Sequence, residues 1–127
     1  MKVIFVGLHN KAGLMPLDIL SKSGKVISQV IKAIPDECIR TNLNDTDFYP
    51  RMKYQRDDEA IKWHYRINPD PDDIIVLLGA QVHKDFINSN NKTIKVPHPA
   101  SHFYNGIKTT DYVKMVVDLI NELKGGE

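Results

Sequence analysis

The chain has 127 residues, of which 17 are lysine or arginine and 16 are acidic, and 42% of its residues are hydrophobic. This length and composition predict one domain, spanning residues 1–127, with enough core to fold without disulfides. A lone cysteine, Cys38, excludes an internal disulfide and a cysteine-based metal cluster, so a reducing, cytoplasmic location is expected. The net charge of +1 argues against a protein that holds nucleic acid by bulk charge, and no apolar run reaches the ~18 residues of a membrane span.

Apolar runs of strand length alternate with helical spacings along the chain. Strands are predicted at Val3–Val6, Cys38–Leu43, Ile74–Leu78 and Thr93–Val96. Helices are predicted from Val26 to Ile34, from about Asp57 to Ile67, from about Ala80 to Ile87 and from about Thr109 to Leu123. Because the third strand is apolar on both faces, it belongs in a sheet that helices cover on each side. The expected fold is a three-layer α/β/α sandwich with a central, mainly parallel four-stranded sheet.

The glycines of this chain do not have the spacing of a nucleotide-binding motif. Five residues separate Gly7 from Gly13, and Leu14 follows where a phosphate-binding loop requires lysine. No Gly-x-Gly-x-x-Gly segment occurs, so no nucleotide cofactor is predicted.

Histidines are frequent enough to raise the question of a metal. His98 and His102 are four residues apart, but the neighbouring prolines disfavour the helix that would bring them together, so no metal site is predicted. His64 and His83 are interpreted as ordinary helix residues. The packed side and rim of one predicted helix are assigned to Trp63, Tyr65 and Arg66.

Two polar residues stand at the predicted carboxyl ends of strands, where parallel α/β sheets bind ligands. His98 follows the fourth strand between Pro97 and Pro99, and an imidazole fixed in this way can donate a hydrogen bond to a leaving-group oxygen. Asn42 ends the second strand, and its amide offers both the donor and the acceptor needed to read a nucleobase edge. The alternatives are a rigid turn with an exposed histidine and a turn or capping asparagine.

The segment from Tyr49 to Arg56 interleaves aromatic residues with the cations Arg51, Lys53 and Arg56 and contains no acidic residue. This pattern suits base stacking and phosphate contact. The alternative is a solvated loop.

Taken in order, these segments resemble the uracil-DNA glycosylase superfamily along most of the chain. The likeness is carried by Val6-Gly7-Leu8-His9-Asn10, Pro16-Leu17 through Ser23-Gly24, Ile39-Arg40-Thr41-Asn42-Leu43, Ile75-Val76-Leu77-Leu78-Gly79-Ala80 and His98-Pro99-Ala100. In the same order, they are similar to the family's Gly-x-x-Pro or Gly-x-Asn-Pro active-site motif, its Pro-Phe…Ala-Gly segment, its Thr-Asn strand end, its apolar strand before a helix, and its His-Pro-Ser or His-Pro-Ala motif. Each motif is short, and the shared order is what makes the resemblance specific.

The resemblance implies a metal-independent, monofunctional DNA glycosylase of base excision repair. Such an enzyme flips uracil or a related damaged pyrimidine out of DNA and hydrolyses its N-glycosidic bond. The resemblance gives Asn42 the reading of the pyrimidine edge, His98 the stabilisation of charge on O2 of the departing base, and His9 or Asn10 the orientation of water. The residues implied to line the base pocket are Gly7, Leu8, Leu17 and Phe48.

DNA is the partner that the resemblance implies. Residues expected to contact it are Arg51, Lys53, Arg56, Ser101, Phe103 and Tyr104, the last two lying where the family wedges a loop into the duplex. The first motif departs from the family pattern, because it lacks the proline and no acidic residue lies between Gly7 and Leu17 to activate water. An alternative therefore stands beside the enzyme: a non-catalytic module on the same fold that binds a nucleobase, a nucleotide or single-stranded DNA.

Overall fold

The computed structural model describes residues 1–9, 21–45, 49–88, 90–99 and 108–125. Strands and helices alternate within these residues as predicted. In chain order they are β1 Lys2–Gly7, α1 Lys22–Ala33, β2 Glu37–Asn42, α2 Lys53–Ile67, β3 Ile74–Leu78, α3 Ala80–Asp85, β4 Lys92–Val96 and α4 Thr109–Gly125. None of the described helices is long and apolar enough to cross a membrane.

The strands form one parallel sheet in the order β2-β1-β3-β4. Gly7 at the end of β1 pairs with Asn42 of β2, and Leu78 at the end of β3 pairs with Val96 of β4. β2 lies on one side of β1, whereas β3 and β4 lie on the other side. The strand order therefore reverses between β1 and β3. In sheets of this kind the crevice at the reversal point, outside the carboxyl ends of the strands, is where ligands bind.

Helices cover both faces of the sheet, which confirms the predicted three-layer arrangement. The core beneath α1 and α4 includes Phe5, Val30, Val76, Val116 and Ile120. The core beneath α2 and α3 includes Ile4, Trp63, Ile75, Leu77 and Val82. Successive residues of β1 and β3 alternate between the two cores because strand side chains point to opposite faces in turn.

The start of α2 differs from the prediction. The helix begins at Lys53 rather than Asp57, because two local contacts support an earlier turn. The side-chain oxygen of Gln55 accepts a hydrogen bond from the amide of Met52 at 3.3 Å, and Lys53 forms an ion pair with Asp57 at 2.8 Å. The cations placed in a loop by the sequence pattern are thus partly helical.

The end of α3 also differs, falling at Asp85 rather than Ile87. Phe86 leaves the helix with φ −69° and ψ 132°, and its ring packs edge-on against Trp63 with a centroid separation of 5.2 Å. A ring nitrogen of His64 on α2 hydrogen-bonds the Ile87 carbonyl just beyond. Packing against α2 therefore ends α3 early.

A buried polar network joins β1 and β3 at the edge of the sheet where the strands begin, called here the N-terminal edge. Asp73 is fully buried, and its carboxylate accepts hydrogen bonds from the amides of Lys2 at 2.7 Å and Asp70 at 2.8 Å, with Lys2 Nζ at 3.1 Å. Asn91 Nδ2 donates to the carbonyls of Asp70 and Asp73. This network fixes the turn that leads into β3.

Candidate functional site

The carboxyl ends of the strands meet at the opposite edge, called here the C-terminal edge. Asn42 ends β2, Gly7 ends β1, Gly79 follows β3, and His98 lies two residues after β4. Neighbouring strands lie about 4.8 Å apart, so the backbones of the outer strands β2 and β4 are roughly 14 Å apart. Asn42 and His98 therefore flank a stretch of the edge at which the two inner positions are glycines.

His98 leans from β4 over the end of β3. Gly79 has a φ of +98°, and a Cβ placed on it would lie 3.3 Å from Cβ and 3.5 Å from Cδ2 of His98. Glycine alone adopts this backbone conformation without strain and leaves room for the imidazole. The Gly79 amide also donates to the Val96 carbonyl at 3.0 Å. Exposed His98 is thus directed toward the middle of the sheet.

The backbone that precedes His98 is clamped by two neighbouring helices. His83 of α3 hydrogen-bonds through Nε2 to the Val96 carbonyl and to a carbonyl at the end of β3, both at 2.9 Å. Tyr112 of α4 donates its hydroxyl to the Pro97 carbonyl at 2.6 Å. Burial raises the pKa of the Tyr112 phenol above its usual range, so the phenol stays a neutral donor. His83 is therefore more than an ordinary helix residue, because it ties two strand ends together beside His98.

Asn42 is buried, and an arginine of α2 holds its backbone carbonyl. It is 5% exposed, and its carbonyl accepts a hydrogen bond from Arg66 Nη2 of α2 at 2.8 Å. Its side chain belongs to the face covered by α1, because Arg40, two residues earlier, donates to Ser28 of α1 at 2.9 Å. The contact from Arg66 escaped the sequence reasoning, which placed that residue on a helix rim.

The residue before Asn42 takes part in a buried hydrogen-bond relay between three elements. Trp63 Nε1 of α2 donates to Thr41 Oγ1 at 3.2 Å, and the Thr41 hydroxyl donates to the Phe5 carbonyl of β1 at 3.0 Å. Trp63 is fully buried, as predicted, whereas Tyr65 is 84% exposed and does not pack. The relay fixes the end of β2 against β1 and α2.

An unpaired acceptor lies beside the end of β1. The Leu43 amide donates to the Gly7 carbonyl at 2.9 Å, and Asn44 donates to the Leu8 carbonyl through both its backbone amide and Nδ2, each at 3.0 Å. Asn44 is 1% exposed, and its Oδ1 finds no donor among the described residues. A buried acceptor without a donor costs about 1–3 kcal/mol. The sequence patterns gave no signal for this buried oxygen. His9, two residues beyond the end of β1, is half-buried.

A surface depression of ≈ 700 Å³ lies at the start of α2. It is lined by Tyr49, Arg51, Met52 and Gln55, which belong to the aromatic and cationic segment. Arg51 and Met52 are exposed. The depression combines a ring and a cation, the two groups that suit contact with nucleic acid, and Arg51 as a DNA contact stays a prediction.

The other two cations of this segment are engaged within the protein. Lys53 pairs with Asp57 at 2.8 Å. Arg56 Nη1 donates to two carbonyls of residues 50–51, and the guanidinium lies 5.2 Å from the centroid of the Tyr49 ring. Burial, and then the 2.7 Å hydrogen bond to Asp85, raise the pKa of Tyr49 to about 12. Tyr49 and Arg56 are thus held against the protein, whereas Arg51, Lys53 and Tyr54 are exposed.

One group of carboxylates among the described residues could hold a metal ion, formed by Asp70, Asp72 and Asp73 at the N-terminal edge. Lys2 Nζ lies 3.0 Å from Asp70 and 3.1 Å from Asp73, and the terminal amine of Met1 lies 3.6 Å from Asp72. These cations already balance much of the negative charge. The group stands at the edge opposite Asn42 and His98.

The described residues bring five of the predicted site residues to the C-terminal edge, namely Gly7, Leu8, His9, Asn42 and His98. The segment containing Arg51, Lys53 and Arg56 lies at the start of α2. The remaining predicted site residues lie outside the described residues, and their roles stay predictions: Asn10, Leu17, Phe48, Ser101, Phe103 and Tyr104.

No family model, curated protein or solved structure matches the chain. The resemblance to uracil-DNA glycosylases therefore rests on the short motifs and on their order along the chain.

Proposed function

We propose that the protein is a DNA glycosylase that hydrolyses the N-glycosidic bond of uracil or a related damaged pyrimidine in DNA. The observation that carries the proposal is the placement of Asn42 and His98 on either side of two glycine positions at the C-terminal edge. An amide with a donor and an acceptor can hold a pyrimidine edge, and a preorganised imidazole can stabilise the charge that departs with it. The order of the family-like motifs supports the same function.

The proposed reaction uses water and the groups of this edge. The bond between C1′ of the sugar and N1 of the base breaks, and its electron pair leaves with the base. Negative charge then reaches O2, to which His98 donates a hydrogen bond. The oxygen of water bonds to C1′ and releases a proton to the solvent, and His9 or Asn10 orients that water. Orientation alone suffices when the glycosidic bond breaks largely before water attacks.

The test is base release from oligonucleotides that contain one uracil, in single-stranded and double-stranded form, followed by alkaline cleavage of the abasic site. Under single-turnover conditions, His98→Ala should slow the release about 10²- to 10³-fold, the usual cost of removing one donor to a developing anion. Asn42→Ala should reduce the preference for uracil over cytosine. Asn121→Ala, an exposed position on α4, is the matched control and should leave both quantities unchanged.

One sequence feature favours a second candidate, a non-catalytic module that binds the same base. No acidic residue lies between Gly7 and Leu17, where a carboxylate could activate water. The module would bind uracil-containing strands selectively and depend on Asn42, but alkali would produce no strand breaks. Base release that is unaffected by both His98→Ala and Asn42→Ala would contradict the enzyme assignment at this edge.

A further inference from the structure

The exposed face of α1 is rich in positive charge. The helix contains Lys22, Lys25 and Lys32 and no acidic residue. Since the whole chain has a net charge of +1 and α1 contributes +3, the rest of the chain has a net charge of −2. Among the helices that the structure describes, α1 has the largest net positive charge.

The three lysines form a stripe along that helix. At 100° per residue, Lys22, Lys25, Gln29 and Lys32 fall within one sector of about 80°. All four residues are exposed, while the opposite side of α1 packs into the core. The rise of 1.5 Å per residue makes the stripe about 15 Å long, which spans several phosphates of a nucleic-acid strand.

Three lysines on other helices of the described surface are neutralised by ion pairs, unlike Lys25 and Lys32. Lys53, Lys62 and Lys114 each form an ion pair one helical turn away on their own helix, with Asp57, Asp58 and Asp118. Within the part of the chain that the structure describes, no carboxylate lies within ion-pair distance of Lys25 or Lys32. An unneutralised lysine gains most from a phosphate, because binding releases the counterions that the phosphate had condensed.

The stripe starts at the candidate site. Because α1 connects β1 to the parallel strand β2, it runs back from the C-terminal edge toward the N-terminal edge. The start of the helix, with Lys22 and Lys25, is therefore at the end of the sheet where Asn42 lies. The hydrogen bond from Arg40 to Ser28 holds the middle of α1 against β2, the same strand that ends in Asn42.

We infer that the α1 stripe binds the phosphodiester backbone of a single DNA strand and leads it to the C-terminal edge. The inference rests on the proposed function for the identity of the polymer. It assigns the backbone contact to α1, in addition to the predicted contact at Arg51.

The test is the salt dependence of binding to a fluorescent single-stranded oligonucleotide of thymine only, measured by anisotropy. This strand holds no uracil, so the measurement does not depend on catalysis. Each phosphate contact on a single strand contributes about 0.7 to the slope of log K against log salt. The triple substitution Lys22→Gln, Lys25→Gln and Lys32→Gln should lower the slope by about 2, and single substitutions by correspondingly less.

The matched control removes the same charge elsewhere, through Lys62→Gln, Lys92→Gln and Lys114→Gln. Two of these lysines are ion-paired and Lys92 stands at the N-terminal edge, so the slope should stay within about 0.5 of the unsubstituted protein. An equal loss in both triple variants would overturn the inference, because bulk charge would then explain it. Circular dichroism checks that both variants stay folded.

Two further measurements distinguish DNA binding by the α1 stripe from membrane binding and from the proposed base release. Vesicles of phosphatidylcholine with phosphatidylserine should not compete with the oligonucleotide; stripe-dependent vesicle binding with an unchanged DNA slope would assign the face to a lipid surface instead. In single-turnover base release, the α1 triple variant should need more DNA for half-maximal rate and reach the same maximal rate. If the stripe substitutions lower the salt slope but the protein releases no base, the proposed function is wrong, and DNA binding by the stripe is still supported.

Discussion

The two edges of the sheet differ in how their polar groups are hydrogen-bonded. At the N-terminal edge the buried Asp73 carboxylate accepts two backbone amides and faces Lys2 Nζ, and Asn91 covers two nearby carbonyls. At the C-terminal edge His98 is exposed, Gly79 has a positive φ, and a buried oxygen of Asn44 has no donor among the described residues. At the N-terminal edge the buried polar groups of Asp73 and Asn91 are paired, whereas the C-terminal edge has one buried acceptor without a donor among the described residues and one conformation that favours glycine.

We infer from this difference that the N-terminal edge stabilises the fold and that the C-terminal edge serves the proposed reaction. Satisfied buried polar groups contribute to folding stability, whereas unpaired acceptors and unusual backbone conformations cost stability and persist where the surrounding structure fixes them. Substitutions at the N-terminal edge should therefore reduce stability and spare the proposed reaction. Substitutions at the C-terminal edge should reduce the proposed reaction by more than their effect on stability explains.

The largest effect is expected from Asp73→Ala. Removing this fully buried carboxylate leaves two backbone amides without acceptors and Lys2 without its buried partner, so the free energy of unfolding should fall by about 3 kcal/mol. Urea unfolding measures this. Asp72→Ala is the control, because that side chain is 70% exposed and should change stability by less than about 0.5 kcal/mol. Equal effects would mean that burial does not distinguish the two acids.

A second, smaller effect on stability is expected from Gly79→Ala, together with a loss of base release. A φ of +98° strains any other residue by about 1–3 kcal/mol, and the new Cβ would press on His98 at 3.3 Å. Gly125→Ala is the control, because nothing lies within 4 Å of its added Cβ. A Gly79→Ala variant that keeps the full rate under saturating DNA would show that His98 need not lean over β3.

Tyr112→Phe should separate positioning of His98 from stability. Loss of the 2.6 Å hydrogen bond to Pro97 should lower the free energy of unfolding by about 1 kcal/mol. The maximal rate of base release should fall roughly tenfold, because the backbone before His98 loses a hydrogen bond that positions it. The KM should stay unchanged, because Tyr112 does not contact the bound substrate. Tyr49→Phe removes a similar bond, 2.7 Å to Asp85 at the end of α3, and leaves the Pro97 carbonyl paired. Equal rate losses in the two variants would refute a positioning role for Tyr112.

The sequence pattern was sufficient for the fold because the decisive signals are local. The run Ile74–Leu78 is apolar on both faces and was predicted with its observed bounds, and Gly7 and Pro97 mark the ends of two other strands. Helix ends were less predictable. α2 starts four residues early because the Gln55 side chain caps Met52, a contact that apolar periodicity does not record.

The sequence predicted where the candidate site residues lie in the fold, but it did not predict which side chains hold the backbone around them. Polar residues at strand ends, such as Asn42 and His98, follow from the rule that parallel sheets bind ligands at that edge. The contacts from Arg66, His83 and Tyr112 to backbone carbonyls depend on how helices far along the chain settle on the sheet. No spacing in the sequence encodes such distances.

The smallest expected effect is an acid dependence confined to the N-terminal edge. Burial alone would raise the pKa of Asp73, but the amides of Lys2 and Asp70 and the Lys2 ammonium outweigh it and hold the pKa below its usual range. The folded protein therefore binds fewer protons at Asp73 than the unfolded chain does, so this carboxylate stabilises the fold above its unfolded pKa. That contribution is lost as the pH falls through the folded pKa. Unfolding measured from about pH 5 downward should show a steeper loss of stability in the natural chain than in Asp73→Asn, whose amide does not titrate. Parallel curves would mean that the charged form of Asp73 gains nothing from its amides, and the satisfied character of the N-terminal edge would then come from Asn91 alone.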